Sequence, residues 1–327
     1  MNNFNTKYPV NISKNNPNFD GDDFLNILES EQISAIIKNA TSKWRERIFT
    51  PSITLAMFIK QALSPDRSCA HVVNEFIIDN IDELPINIST STGSFCRSRQ
   101  KIPLDLIKKL VRYTGNATKE KIDNRNGIKG NIYLVDGTTF TLPDTVQNQE
   151  KYPQQSAQKK GLGFPICRAL GVFCLESGAA VNAQIAPYKG KGADEHTMLR
   201  SSLDTFKKGD LVIGDAIYSS YWLFSHLQKE GVEGIFGQNG GRAKKADFRT
   251  GKQIGKYDHI VTYKRPQRPE WMSVEQYKST PKTISVRELK VRHKILVTTL
   301  CENKLHSKDA IDELYISRWN IGELTAA

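Results

Sequence analysis

The sequence predicts an α/β fold in which a helical region precedes a sheet that is interrupted by a β-rich, basic insertion. Up to about residue 116 the apolar residues recur at helical spacing. Beyond Gly127, short apolar runs alternate with helical segments, which is typical of an α/β sheet. Residues 238–294 hold 15 Lys or Arg against 5 Asp or Glu, together with strand-like pieces. These three observations define the fold class and its regions.

The composition is that of a folded chain without membrane spans. With 327 residues, 39% of them hydrophobic, it can form two domains with a sizeable core. No apolar run reaches the length of a membrane-spanning helix, and the Asn-rich start is unlike a secretory signal. The five cysteines are scattered and form no Cys-x-x-Cys pair. We therefore expect reduced thiols, without a disulfide framework or a structural zinc site.

Three regions are predicted along the chain. Residues 1–20 form a flexible arm, residues 21–126 a helical N-terminal DNA-binding region, and residues 127–327 the α/β core. The insertion occupies about residues 232–293 of that core. The short helices of the second region could form a helix-turn-helix-like DNA reader or an ordinary helical bundle, and the sequence leaves both open.

Helix and strand boundaries follow from capping residues and apolar runs. Thr50 and Ser64 each precede a proline, which predicts that a helix begins at both places. The chain turns after the first core strand, at Asp136-Gly137. Strands are predicted at residues 132–135, 166–175, 179–186, 211–214, 258–263, 283–287 and 294–300, and helices at residues 194–206 and 307–324.

The net charge of +11 comes almost entirely from the basic insertion. Such a concentration of cations predicts a polyanionic partner, most simply nucleic acid, although a solvated surface that keeps the chain soluble remains an alternative. An aromatic residue inside a basic segment can stack on a displaced base. The residues expected to contact DNA are Arg242, Lys244, Lys245, Arg265, Arg268 and Trp271.

Asp136 and Asp215 each follow a buried apolar strand. Side chains at such ends project where open α/β sheets place their sites. If the two strands are neighbours, the carboxylates converge and supply the hard oxygen ligands that suit Mg²⁺ or Mn²⁺. The alternative is that each aspartate merely caps a turn.

Four stretches, in the same order, resemble the transposases of a large bacterial group, insertion-sequence family four. The first begins Asp-Gly-Thr-Thr-Phe-Thr-Leu-Pro-Asp-Thr at Asp136 and resumes as Gly-Leu-Gly-Phe-Pro at Gly161. The second comprises residues 190–195 and residues 209–215. Residues 315–321 resemble the start of the closing signature Tyr-x-x-Arg-x-x-x-Glu-x-x-x-x-x-x-Lys, and residues 94–101 the N-terminal region of the family. The resemblance covers about residues 60–321.

The resemblance implies a DDE transposase with a ribonuclease-H-like catalytic core that uses two Mg²⁺ or Mn²⁺ ions. Carried over, Asp136 and Asp215 are the first two catalytic acids and the metal ligands. Tyr315 and Arg318 form a supporting pair that contacts DNA near the cut. Positions 315, 318 and 322 have the spacing i, i+3, i+7, so one helical face presents all three.

The sequence departs from the signature at its third acid. Gly322 stands at the position of Glu, and Glu323 follows it, so either the reading frame breaks here or one residue is inserted. One residue of helix is about 100° of rotation, which turns Glu323 away from Asp136 and Asp215 unless a π-bulge absorbs it. Glu323 is therefore the candidate third catalytic acid, and we expect that this ligand is lost.

Three functions are weighed from these features. The first is a transposase that binds double-stranded DNA at the inverted-repeat ends of its element, as a homodimer in the complex, and transfers them to target DNA. The second, favoured by Gly322, is a catalytically inactive end-binding protein or inhibitor. The third, a ribonuclease-H-like nuclease unrelated to transposition, would not need Tyr315 and Arg318. We expect a bacterial cytoplasmic protein associated with the nucleoid.

Overall fold

The computed structural model describes residues 30–41, 44, 48–82, 84, 89–119, 130–159, 161–190, 192–239, 246–302 and 305–319. The chain divides into two compact units, Met1–Leu110 and Val111–Ala327. The arm predicted at residues 1–20 lies outside the described residues. Across the parts of the chain just given, no helix combines the length and apolar character needed to cross a membrane.

The first helices are α1 (Glu31–Ala40), α2 (Pro51–Leu63), α3 (Cys69–Asp79), α4 (Gly93–Lys101) and α5 (Leu104–Lys119). Thr50 caps α2 as predicted, because its side chain accepts a hydrogen bond from the Ile53 N–H. The helix start predicted at Ser64 is wrong. Ser64 is extended and ends α2, since the residue before a proline avoids the helical conformation. Ser68 caps the next helix instead.

A small apolar core holds the N-terminal unit together. Met57, Val72, Val73 and Phe95 from α2, α3 and α4 pack against one another, and Phe95 is fully buried. This arrangement is compatible with both the DNA reader and the helical bundle, so the role of this unit stays a prediction.

The second unit contains a single nine-stranded sheet in the order β3-β2-β1-β4-β5-β9-β8-β7-β6. Strand β1 pairs antiparallel with β2 and parallel with β4, which is parallel to β5; the other pairings are antiparallel. The strands are β1 (Ile132–Thr141), β2 (Ile166–Cys174), β3 (Ala180–Pro187), β4 (Leu211–Gly214), β5 (Glu233–Gly237), β6 (Lys252–Gly255), β7 (Asp258–Lys264), β8 (Thr283–Val291) and β9 (Lys294–Thr298).

Helices cover both faces of the sheet. The remaining helices are α6 (Val146–Lys151), α7 (Glu195–Arg200), α8 (Tyr221–Glu230), α9 (Val274–Ser279) and α10 (Lys308–Ile316). Alternate residues of β1 point to opposite sides, so Tyr133 and Val135 join the core under α7 and α8, whereas Ile132 and Leu134 join the core under α10. This mixed α/β architecture with one large sheet fits a core of the ribonuclease-H-like type.

Two predicted boundaries are wrong. The chain does not turn at Asp136-Gly137, because β1 continues to Thr141 and stays paired with β2 over its whole length. The helix predicted at residues 194–206 ends at Arg200 and is followed by a 3-10 turn, Leu203–Thr205. The hydroxyls of the two serines after Arg200 both donate to the Met198 carbonyl, and such bonds compete with the helical pattern.

Candidate active site

Asp136 and Asp215 occupy matching positions on two neighbouring parallel strands. The register pairs Val135 of β1 with Gly214 of β4, and each aspartate is the next residue. The sequence made the convergence of the two carboxylates conditional on these strands being neighbours, and in the structure they are paired. The two carboxylates therefore lie just past the end of the parallel pairing, where α/β sheets place their sites, although β1 itself continues beside β2 to Thr141.

Strand alternation places both carboxylates on the face of the sheet that α10 covers. Leu134 and Ile213, two residues earlier in their strands, belong to the core under α10. Gly237 ends the next strand, β5, on the same face. A Cβ at Gly237 would lie 3.1 Å from the Tyr315 hydroxyl oxygen, so the phenol of Tyr315 occupies the space beside the third strand end.

Backbone amides hold each carboxylate at its strand end. Asp136 accepts a hydrogen bond from the Gly137 N–H at 3.1 Å, and Asp215 accepts one from the Ala216 N–H at 2.6 Å. The second bond caps the short 3-10 turn Ala216–Tyr218. Asp136 is partly buried and Asp215 is exposed, so one acid lies deeper than the other.

The electrostatic environment of Asp136 disfavours its negative charge. Burial is the largest cause and raises its pKa, and the neighbouring charges of Glu195 and Asp215 act in the same direction. The Gly137 N–H and the positive charge of Arg318 oppose the rise. A divalent cation between the two aspartates would relieve this repulsion.

Glu195 is an acid of this site that the sequence analysis missed. It begins α7 on the opposite face of the sheet and accepts a hydrogen bond from the Tyr218 hydroxyl at 2.8 Å. Its carboxyl carbon lies 2.4 Å from where a Cβ on Gly137 would be, so only glycine fits there. Asp194 and Glu195 belong to the second stretch that resembles the family, but the fold is needed to show that Glu195 is the acid that contacts Gly137 of β1.

Tyr315 and Arg318 lie beside the two aspartates. Burial raises the pKa of Tyr315, and the charge of Asp215 adds to the rise. Arg318 is 8% exposed, and its Nε–H has no hydrogen-bond partner within the part of the chain that the structure describes. Its guanidinium carbon lies 4.6 Å from the Trp319 ring centroid. Glu323, the predicted third acid, lies outside the described residues.

Two of the predicted DNA contacts have structural partners. Arg265 donates to the backbone carbonyls of Tyr277 at 2.5 Å and Thr280 at 2.6 Å, and it lies over the Tyr277 ring. Arg268 donates to the Met272 carbonyl at 2.6 Å. These bonds organise the loop around α9. The predicted contacts at Arg242, Lys244 and Lys245 lie outside the described residues.

Trp271, the predicted stacking residue, already has neighbours on its ring. The guanidinium carbon of Arg200 lies 4.0 Å from the ring centroid, and Trp222 approaches at 6.2 Å in an edge-on arrangement. The side chain still is 47% exposed. It borders a cleft formed by α7, α8 and the loop around α9, away from the residues that line the space beside Asp215.

A cavity of ≈ 680 Å³ opens beside Asp215, and three basic side chains of the β8–β9 hairpin line it: Lys290, His293 and Lys294. Tyr315 lies on its other side. The Lys294 ammonium is 5.9 Å from the Tyr315 ring centroid. The two lysines were counted within the basic block of the sequence but were not selected, because their approach to Asp215 depends on the pairing of β9 with β5.

Within the described residues, no group of three or more His, Cys, Asp or Glu side chains is arranged to hold a metal ion. The carboxylates of Asp136 and Asp215 are therefore the candidate oxygen ligands for a metal ion. Asp136 and Asp215 share one face, whereas Glu195 is engaged by Tyr218 on the other.

Comparisons with known proteins place this geometry in context. A family model described as "Transposase DDE domain" matches residues 128–321. The solved structures include a piggyBac transposase synaptic complex with hairpin DNA, which is similar to this chain with 9% identity and a TM-score of 0.45 over 94% of this chain and 68% of the other. No curated protein matches the sequence.

Proposed function

Since this chain belongs to the family of transposase DDE domains, we propose that it binds the ends of its own insertion sequence and catalyses their metal-dependent cleavage and transfer. The observation that carries the proposal is the placement of Asp136 and Asp215 at matching positions, directly after the last paired residues of two parallel strands. We further propose membership of insertion-sequence family four, with a ribonuclease-H-like core, because the four stretches that resemble that family include both aspartates.

DDE transposase domains generally use divalent metal ions, and the donor set of this site fits such ions. Two carboxylates share one face of the sheet, burial disfavours the charge on Asp136, and carboxylate oxygens suit Mg²⁺ or Mn²⁺. Asp136 and Asp215 would hold the metal. When bound, two such ions activate a water or a 3′-hydroxyl and stabilise the charge that develops on the attacked phosphate.

The side chains around the aspartates are suited to bind and orient the scissile phosphate. Arg318 carries an unpartnered, buried Nε–H near Asp136, which can donate to a phosphate oxygen. Lys294 lies 5.9 Å from the Tyr315 ring centroid and can balance the charge of a further phosphate. A tyrosine phenol is protonated at neutral pH, and burial raises the pKa of Tyr315 further, so it acts as a hydrogen-bond donor.

The basic insertion and the helical N-terminal region would bind the rest of the DNA. We propose that Arg242, Lys244 and Lys245 contact phosphates. Arg265 and Arg268 support the insertion and offer their remaining N–H groups to the same backbone, while Trp271 offers its exposed ring to a base. A homodimer would pair the two ends in one complex.

The test is strand cleavage on DNA that carries the element's own ends. In Mg²⁺ the protein should release 3′-hydroxyl ends at the border, and Asp136→Asn or Asp215→Asn should abolish this while retaining DNA binding. Asp309→Asn is the matched control, because Asp309 is exposed on α10 and its loss should leave cleavage unchanged. Cleavage that survives both substitutions would contradict the proposal.

A second function is favoured by Gly322, which stands where the closing signature has its third acid. The chain would then occupy the ends as a catalytically inactive DNA-binding protein. In the same assay this predicts binding of the ends without cleavage. Gly322→Glu, which restores the signature acid, should then produce Mg²⁺-dependent cleavage that the unmodified chain lacks.

A further inference from the structure

Two residues with strained backbones lie in turns near the cavity beside Asp215, and one of them, Tyr257, lines it. Within the described ranges, Tyr257 (φ 54) and Arg292 (φ 49) are the non-glycine residues with positive φ. Tyr257 lies in the two-residue turn between β6 and β7, and Arg292 in the one between β8 and β9. Both turns lie at the same end of the sheet, since the Lys290 N–H donates to the Tyr257 carbonyl at 2.9 Å.

Tyr257 occupies a position at which glycine or asparagine would be easier to place. The left-handed conformation brings the Cβ of a bulky residue against its own backbone, and strained residues of this kind concentrate at functional sites. Packing of the ring in the core does not offset this strain, because Tyr257 is 50% exposed. Its aromatic neighbour is Phe248, edge-on at 5.7 Å. The strained turn therefore presents an aromatic ring to the cavity.

Two lysines flank this ring, and one of them, Lys290, lines the cavity beside Asp215. The ammonium groups of Lys290 and Lys256 lie 5.6 Å and 5.8 Å from its centroid. Lys294 follows along the same cavity, 5.4 Å from the ring centroid of the exposed Trp319. Aromatic rings interleaved with lysines along a groove are what an unpaired nucleic-acid strand requires, since bases stack and phosphates bind the cations.

We propose that Tyr257 is a stacking platform for an unpaired base of the DNA strand that enters the Asp215 site, with Lys290 and Lys294 on the adjacent phosphates. The inference rests on the proposed function and deepens it, because it assigns this cavity to single-stranded rather than paired DNA. A paired base cannot offer its face to Tyr257, because its neighbours in the duplex cover it.

The consequence is a preference for DNA with a single-stranded end. The protein should bind a duplex that carries a single-stranded tail of about ten nucleotides more tightly than the same duplex with blunt ends. Loss of the stacking ring should weaken binding of the tailed duplex about tenfold, which corresponds to ~1.4 kcal/mol, and should leave blunt-duplex binding unchanged.

Tyr257→Gly makes the test sharp, because it removes the ring and relieves the strain in one step. Glycine adopts positive φ without the Cβ clash, so this variant should melt about 2 °C higher than the wild type rather than lower. Fluorescence anisotropy with labelled blunt and tailed duplexes then measures both affinities on a protein that is folded. Tyr257→Phe keeps the ring and should keep the preference for the tail.

Arg292→Gly is the matched control, because it relieves the neighbouring strained turn and removes one exposed charge, together with its ion pair to Asp312, without removing an aromatic ring. It should weaken both duplexes alike and leave the preference for the tail intact. A Tyr257→Gly protein that keeps that preference, or a wild type that has none, overturns the inference while leaving transposition possible. A wild type that binds neither duplex overturns the proposed function itself.

Discussion

Two aspartates in different parts of the sheet, Asp258 in β7 and Asp136 in β1, differ in how their negative charge is balanced. Asp258, the first residue of β7, is 3% exposed and is gripped by the Arg287 guanidinium through bonds of 2.8 Å and 2.6 Å. Asp136, in β1, has no ion-pair partner within the described residues, and Arg318 acts on it only at longer range. The protein neutralises the carboxylate of Asp258 with its own arginine, whereas we propose that a metal cation neutralises the carboxylate of Asp136. An incomplete charge balance thus distinguishes the candidate site from a structural ion pair.

Strands β7 and β8 of the basic insertion are stabilised by buried polar pairs as well as by apolar packing. His259 contacts Glu288 at 3.0 Å, and the Tyr263 hydroxyl donates to the same carboxylate at 2.5 Å. Arg287 also donates to the His306 carbonyl at 2.7 Å, just before α10. Arg287 thereby links the hairpin strands to the segment that carries Tyr315 and Arg318 into the site.

Breaking the buried Asp258–Arg287 ion pair should have the largest effect on the free energy of unfolding. Arg287→Met leaves Asp258 buried without its partner, and such a loss costs about 3–5 kcal/mol of the free energy of unfolding. Urea denaturation measures it. Arg249→Met breaks an Arg–Asp pair of the same type that is exposed, with the Arg249 side chain 89% accessible, and should leave the urea midpoint unchanged. Equal effects of the two variants would refute the distinction.

A smaller effect should separate the cations of the cavity from those of the loop around α9. Replacing Lys290 and Lys294 together by Gln removes two phosphate contacts, which should flatten the slope of log affinity against log salt by about two. Arg265→Gln with Arg268→Gln should alter that slope less and lower the melting temperature more, since both arginines hold backbone carbonyls. A larger change of slope in the Arg265/Arg268 variant than in the Lys290/Lys294 variant would show that the two arginines, as predicted from the sequence, are the main phosphate contacts.

The sequence predicted the parts of this site that depend on local pattern. An apolar run that ends in aspartate identifies Asp136 and Asp215 without knowledge of the fold, because the end of the buried stretch is visible locally even where, as in β1, the strand continues. Glu195 and Lys294 could not be selected in this way. Glu195 reaches Gly137 from the other face of the sheet, and Lys294 approaches Asp215 only because β9 pairs with β5.

Counting charges also overestimated how many arginines of the insertion are available to bind DNA. The excess of Lys and Arg in the insertion predicts an anionic partner for the whole segment. It does not show that Arg265 is bound to two carbonyls or that Arg287 is fully buried against Asp258. The partners of a charged side chain depend on tertiary contacts, which composition does not contain.

The measurement that tests the central claim most directly is Mn²⁺ binding by the full chain, followed by isothermal titration calorimetry. If Asp136 and Asp215 together hold the metal, Asp136→Asn and Asp215→Asn should each weaken Mn²⁺ binding at least about tenfold, ~1.4 kcal/mol. Asp309→Asn should bind as the wild type does. Undiminished Mn²⁺ binding by both site variants, with their melting temperatures intact, would contradict the account.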